Sequence, residues 1–268
     1  MFGVIPKSIW SKLTPPDDLN RIALQTNCLL LDDHEGTRVL IETGFGDKWS
    51  DKERGYYDLQ HRTIADAIRE IGLDTSAPGT INHIIVTHLH FDHAAGLTTP
   101  GPAGPPGQPS LEPIPVFPNA PIHVQKTEWD DALGNKSTMS RTYLRSHLDP
   151  IAGQVVLHDG AAEVFPGAGI HVEPMPGHTW GQQAVLFDDE HGTVIFPGDV
   201  IPTVNHIHPA FSLGYDMEPY TNMLTKQRLL HRAADEGIRL VLDHETGHAV
   251  VVIARTRDHA DRFELAPA

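Results

Sequence analysis

Four side chains able to ligate a metal stand within six residues in Thr87-His88-Leu89-His90-Phe91-Asp92-His93, directly after the apolar run Ile84-Ile85-Val86. Neutral imidazoles and a carboxylate form a borderline donor set suited to Zn²⁺ and its neighbours, and crowding them is unfavourable unless a cation binds among them. With 18 His in 268 residues, composition alone is a poor explanation of so dense a cluster. Three later segments carry donors of the same kind. Pro176-Gly177-His178-Thr179 interrupts two strand-like stretches, Ile170 to Met175 and Gln183 to Phe187; Asp199 follows the apolar run Thr193 to Phe196 and the punctuating Pro197-Gly198; Asp243-His244-Glu245 follows Ile238 to Leu242. Each time a buried strand delivers a polar donor onto the loop after it, which is how α/β folds build their sites.

The elements that must position these donors can be read from periodicity. Arg21 to Leu31 and Arg38 to Glu42, around the turn-like Asp32-Asp33-His34-Glu35-Gly36, predict a β-hairpin. Apolar residues at Ile64, Ala67, Ile68 and Ile71 predict a helix over Tyr57 to Ile71, stopped by Gly72. A second helix is expected from Pro219, favourable in a first turn, to Glu236, ended by Gly237. Strands and helices in alternation favour a layered α/β fold. Residues 98–121 hold nine prolines and lack apolar periodicity, so they are expected to form a long loop, a candidate lid or an arm for a homodimer.

The length suits one sizeable α/β domain spanning 1–268. A net charge of −15 without basic stripes argues against nucleic-acid partners, which require counterion-displacing Lys and Arg. The single cysteine, Cys28, has no internal disulfide partner and sits in Thr26 to Leu31, where a small buried hydrophobe is expected. Met1 to Leu13 carries Lys7 and Lys12 without the apolar core of a signal peptide. No run approaches the roughly 20 apolar residues of a membrane span. The expectation is a cytoplasmic protein with no membrane partner.

His88-x-His90-x-Asp92-His93, followed by His178, Asp199 and His244, resembles the metallo-β-lactamase superfamily of metallo-hydrolases, from the Ile41-Glu42-Thr43-Gly44 turn to His244. The resemblance implies a four-layer αββα sandwich and two divalent ions, Zn²⁺ before Mn²⁺, Fe or Co, all of which accept N/O ligands. It places His88, His90 and His178 on the first metal, Asp92, His93 and His244 on the second, and Asp199 as the bridge. Two departures stand out. The turn is commonly Asp-Thr-Gly, and Glu42 is a longer carboxylate with which to orient a ligand imidazole. The last ligand usually lies in a His-Asp pair, whereas here it is His244-Glu245, with His248 four residues on; His244 is preferred because it directly follows the apolar strand.

Two ions bridged by Asp199 and a hydroxide would bring that water's pKa near neutrality and polarise a substrate oxygen, so hydrolysis of a small-molecule substrate is the implied reaction. Glu128-Trp129, Pro202-Thr203, His206, His208 and Gly214-Tyr215-Asp216 are similar to a branch that includes quorum-sensing lactonases and methyl parathion hydrolase-like enzymes. The leading expectation is therefore a dinuclear zinc hydrolase of small esters or lactones, with promiscuous phosphotriesterase activity. Alternatives are hydrolysis of thioesters in the manner of glyoxalase II or of β-lactams, and, from another class, a di-iron redox centre or a non-catalytic metal-binding module. Asp92, Asp199 and Tyr215 are the catalytic candidates. Tyr215 is either a counterpart of the lactonase tyrosine that helps hold the substrate carbonyl or a structural tyrosine with its hydroxyl satisfied. His206 and His208 would share one face of an extended segment, lining the pocket or serving as ordinary surface histidines.

Overall fold

A computed structural model describes residues 1–33, 35–104, 112–137 and 142–266. The chain divides into two compact units, a first of Cys28–Val124 and Ala132–Leu157, and a second of Met1–Asn27, Gln125–Asp131 and His158–Ala268.

The first unit carries β1 (Leu29–Asp32), β2 (Arg38–Ile41), β3 (His83–Ile85), the short pair β4 (Thr98–Thr99) and β5 (Ile114–Pro115), then β6 (Ile122–Gln125) and β7 (Val155–His158). Its main sheet runs β1-β2-β3-β6-β7, with β2, β3 and β6 parallel. Val39, Leu40, Ile41, Ile84, Ile85 and Val86 are all buried, the continuous apolar pattern of parallel strands covered on both faces. The expected hairpin forms, but its first strand begins at Leu29 rather than Arg21, with Leu29 opposite Ile41 and Asp32 opposite Arg38. Residues 21–28 lie outside any sheet. Cys28 just before β1 is half-buried rather than buried.

The single helix expected over Tyr57 to Ile71 is two, Asp51–Tyr57 and Ile64–Glu70. Asp58 in the left-handed region ends the first, and each starts in a reciprocal capping box, Ser50 with Glu53 and Thr63 with Asp66, which outcompetes continued helix. The proline-rich segment is not irregular throughout: β4 pairs with β5, Thr98 opposite Pro115. Its middle, 105–111, where a lid or arm is expected, lies outside the described residues, as does His34 of the hairpin turn.

The second unit holds β8 (Ala162–Glu163), β9 (Ile170–Pro174), β10 (Gln183–Asp189), β11 (Gly192–Phe196), β12 (Arg239–Val241), β13 (Val250–Thr256) and β14 (His259–Leu265) in the order β14-β13-β12-β11-β10-β9-β8. Only β11 and β12 run parallel among its pairs. The helix Pro219–Glu236 has the predicted bounds, with Pro219 in its first turn and Gly237 capping it at φ 67°. Its inward face, Asn222, Thr225, Lys226, Leu229, Leu230 and Ala233, follows three-and-four spacing. The apolar half of that face joins Ile195, Leu240, Leu242, Val251 and Ile253 in the core. Among the described residues no helix is long and apolar enough to cross a membrane.

Leu230→Ala should cost about 2–5 kcal/mol by opening a cavity in this core, read as a lower urea midpoint at unchanged slope.

Candidate metal centre

In the first unit, β3 leads into Thr87 and a short helix, Phe91–Ala94, which gathers three imidazoles. The His88 ring lies 4.0 Å from that of His93 and 4.6 Å from that of His90. All three residues are buried, whereas Asp92 is partly exposed, its Oδ1 3.9 Å from His93 Nε2. Three buried rings this close repel one another if protonated together, and in the neutral form each offers a lone pair to a cation. Their orientation is set from outside: His88 Nδ1 is 3.0 Å from Thr87 Oγ1, and His93 Nδ1 faces Glu42 Oε2 at 3.4 Å. Glu42 reaches both sides of the motif, since its Oε1 accepts from Thr87 N at 2.7 Å. It does so from a left-handed backbone, φ 66°, unusual for a residue with a side chain. The turn is fixed by Thr43, whose N and Oγ1 both donate to His93 O, at 3.1 and 2.6 Å. The longer carboxylate thus reaches the His93 imidazole.

In the second unit the decisive geometry is around Asp199, on a tight turn after β11. Its Oδ2 lies 3.2 Å from His178 Nε2 and its Oδ1 3.1 Å from His244 Nε2. The other nitrogen of each ring is committed: His178 Nδ1 donates to Asp216 Oδ1 at 2.8 Å, and His244 Nδ1 donates to Gln25 O at 2.7 Å. In the neutral rings, therefore, an Nε2 lone pair confronts a carboxylate oxygen on each side of Asp199. Such contacts are attractive only with positive charge between the partners, and a proton on each buried ring or a metal ion on each side would supply it. Asp243 adds a further buried carboxylate: one ligand atom from each of Asp199, Asp243 and His244 lies within 4.8 Å of the others. The enclosed carboxylates of Asp199 and Asp216 are set against the Lys226 ammonium and the largely buried amino group of Met1, and Asp243 adds a third enclosed carboxylate beside Asp199. That excess of buried negative charge calls for added cations, and the imidazole and carboxylate donors fit divalent metals. Burial brings Lys226 down to about 8, against the opposing pull of Asp216 and Asp199, while its Nζ donates to Phe211 O at 2.6 Å.

Long-range contacts hold the ligand loops. Gly177, φ 141°, leaves no room for a side chain, because a Cβ would lie 2.3 Å from Asn222 Cα. Met217 N and Glu218 N donate to His178 O and Gly177 O. Thr179 Oγ1 donates to the buried Glu128 at 2.6 Å, which gives Glu128 of the sequence motif a structural role. The run 21–28 clamps the last ligand loop: Gln25 N donates to His244 O and Asn27 N to Asp243 O. His244 is buried and His248 exposed.

The remaining candidates fall differently. Tyr215 donates its hydroxyl to Met1 Sδ, with its ring edge-on to His178 at 6.1 Å. His206 and His208 do not share a face, because Val204–His206 is a 3₁₀ turn rather than extended chain. His206 is buried between Thr203 Oγ1 on Nδ1 and Met1 O on Nε2, and burial drives it down to about 3, a neutral structural histidine. His208 is exposed. Asp216, Gln25 and Asp243 were not among the expected site residues. The first two act over 38 and 219 residues of separation. Asp243 stands beside His244, and Asp216 in the Gly214-Tyr215-Asp216 segment of the branch resemblance; Gln25 had no signal of either kind.

The chain matches the model of the metallo-beta-lactamase superfamily over residues 21–244. The chain belongs to the metallo-β-lactamase superfamily. A probable metallo-hydrolase of Mycobacterium tuberculosis is 28% identical over 265 residues, covering 91% of this chain and 78% of the relative. An N-acyl homoserine lactonase of Bacillus thuringiensis is 28% identical over 225 residues, covering 79% and 77%. The structure of a probable metal-dependent hydrolase from Staphylococcus aureus superposes with a TM-score of 0.82 at 26% identity, covering all of this chain and 91% of the other. Two unequal sheets with the ligand loops at their strand ends are thus this superfamily's metallo-β-lactamase fold, and the chain is a metal-dependent hydrolase of it.

Asp216→Asn removes the anionic partner of His178, and should weaken binding of one metal about 10–100-fold; equilibrium dialysis with elemental analysis would show it as one ion lost per chain at limiting metal, with the fold intact by circular dichroism.

Proposed function

We propose that this metallo-β-lactamase superfamily protein is a dinuclear zinc hydrolase of small lactones or esters. On this reading His88, His90 and His178 would hold one ion and Asp92, His93 and His244 the other, with Asp199 shared between the ions. One observation carries the reading: each oxygen of Asp199 faces a different imidazole Nε2 whose Nδ1 is already fixed. A carboxylate so flanked is suited to bridging. Bound there, two divalent cations would supply a nucleophile at neutral pH by acidifying water and would polarise the substrate oxygen.

The chain's own residues do the positioning. Asp216 and the Gln25 carbonyl fix the rings of His178 and His244, and Glu42 and Thr87 those of His93 and His88, so the ligands need little reorganisation on binding. Phe91, between His90 and Asp92, belongs to a cleft of about 780 Å³ in the first unit, walled also by Trp49, Tyr56, Tyr57, Leu144 and His147. Burial lowers His147 to about 3, so its imidazole is neutral at neutral pH, while Lys48, Lys52 and Glu53 line the same cleft beside the aromatic rings. The aromatic part of that lining suits the apolar acyl or aryl portion of a substrate. Lactone hydrolysis is the leading choice because a relative covering most of the chain is named an N-acyl homoserine lactonase.

The test is turnover of an acyl-homoserine lactone by zinc-loaded protein, followed as proton release, with metal-stripped protein as control. Metal-dependent opening with kcat/KM above roughly 10⁴ M⁻¹s⁻¹ is expected. Protein holding two ions per chain that opens no lactone and cleaves no aryl ester would overturn the substrate assignment. Asp199→Ala should abolish turnover and weaken retention of both ions; two retained ions and near-normal turnover would refute the bridge.

A further inference from the structure

We infer that Asp243 is an additional carboxylate donor at the His244 position, and that it raises that position's affinity for oxygen-preferring ions such as Mn²⁺ relative to Zn²⁺. The inference rests on the dinuclear reading and refines one half of it. Asp243 is 1% exposed, and one of its ligand atoms lies within 4.8 Å of ligand atoms of both His244 and Asp199.

The loop geometry explains why Asp243, and not its acidic neighbour, takes this place. In the family pattern a carboxylate follows the last histidine; here Glu245 follows it and is used by the backbone, its Oε2 accepting from Val204 N at 3.0 Å and its Oε1 from Gly247 N at 2.8 Å. The carboxylate before the histidine is the buried one. Its position is fixed at three backbone points, with Asn27 N donating to Asp243 O at 2.7 Å and Asn27 Nδ2 donating to Leu242 O and Glu245 O, both at 2.9 Å. Asp243 Oδ1 accepts from His244 N at 3.0 Å. A carboxylate has about four acceptor sites on two oxygens, so this bond leaves it capacity for a metal.

The consequence is a difference between the two positions. Beside His244 stand two carboxylates, Asp199 and Asp243; beside His178 stands Asp199, with Asp216 committed to the far side of the ring. More oxygen donors and more negative charge favour harder ions, whereas imidazole-rich sets favour Zn²⁺.

The experiment measures Mn²⁺ binding by electron paramagnetic resonance titration, and Zn²⁺ binding by chelator competition, for the full chain and for Asp243→Asn. The variant should lose Mn²⁺ affinity about 10–100-fold at one of two sites, with a clearly smaller loss of Zn²⁺ affinity at that site and the second site unmoved. Equal loss for both metals, or no loss, would overturn the inference. Asp243→Glu, which restores a carboxylate, should recover the Mn²⁺ preference, and a variant with the carboxylate but the Asn behaviour would count against it; this arm also serves where Asp243→Asn does not fold. Fewer than two ions on the unaltered chain is instead a failure of the dinuclear reading, whereas two ions with an unchanged Mn²⁺/Zn²⁺ ratio in Asp243→Asn sinks this inference alone.

Discussion

The Asp199 carboxylate, set between two imidazoles that turn their Nε2 atoms toward it, is the constraint on which the second unit is organised. Left to themselves these groups would swing apart or change tautomer. They cannot, because the Nδ1 of each ring is spent on a fixed acceptor, Asp216 on one side and the Gln25 carbonyl on the other. The loops that carry them are also closed to retreat. The His178 loop is bonded to Met217, Glu218 and Thr225, and the His244 loop to Pro202, Gln25 and Asn27. Electrostatic cost held in place by surplus backbone bonding is the usual condition of a site built before its cation arrives.

The helix Pro219–Glu236 divides this work along its length. Its later turns bury Leu229, Leu230 and Ala233 in the core. Its first turns bury polar groups: Asn222 donates to Asp216, Thr225 donates to Pro176 O, and Lys226 presents the enclosed ammonium. One amphipathic stripe thus anchors the helix and orders the acceptor of the His178 proton. An ammonium that is 1% exposed and donates to a backbone carbonyl is costly in isolation. It is tolerable here because Asp216 and Asp199 are negative, and for the same reason it lowers the cost of enclosing them.

The donors themselves were legible in sequence because each follows a short apolar strand and a Pro, Gly or polar break, signals that are local. The same holds for the helix Pro219–Glu236, whose ends are written in Pro219 and Gly237. What was not legible is long-range. Nothing near His178 announces Asp216, and nothing near His244 announces Gln25; residues 21–28 read as strand because their composition allows it, and became a clamp because the backbone of residues 243 and 244 needed partners. The helix read across 57–71 failed for a local reason that the letters did contain. Ser50-x-x-Glu53 and Thr63-x-x-Asp66 are capping signatures, and apolar spacing alone gave them no weight.

The two departures from the family pattern have a common physical logic. At the turn before the first motif, Glu42 replaces a shorter carboxylate, and the extra length is accommodated by a left-handed backbone, φ 66°, that lets one side chain serve both Thr87 N and His93 Nδ1. At the last motif the acidic residue after the histidine is consumed by backbone donors, and an acidic residue appears before it, buried. In both places a carboxylate has moved along the chain or along its own side chain while a carboxylate oxygen still lies near the imidazole. That is what is expected when the requirement is for negative charge and a hydrogen-bond acceptor within a few ångströms of a ligand, a requirement on position in space rather than position in sequence. Residue identity at a motif's flanks is then free to vary as long as the backbone is tied down strongly enough to bring the oxygen home, and here Thr43 and Asn27 do the tying.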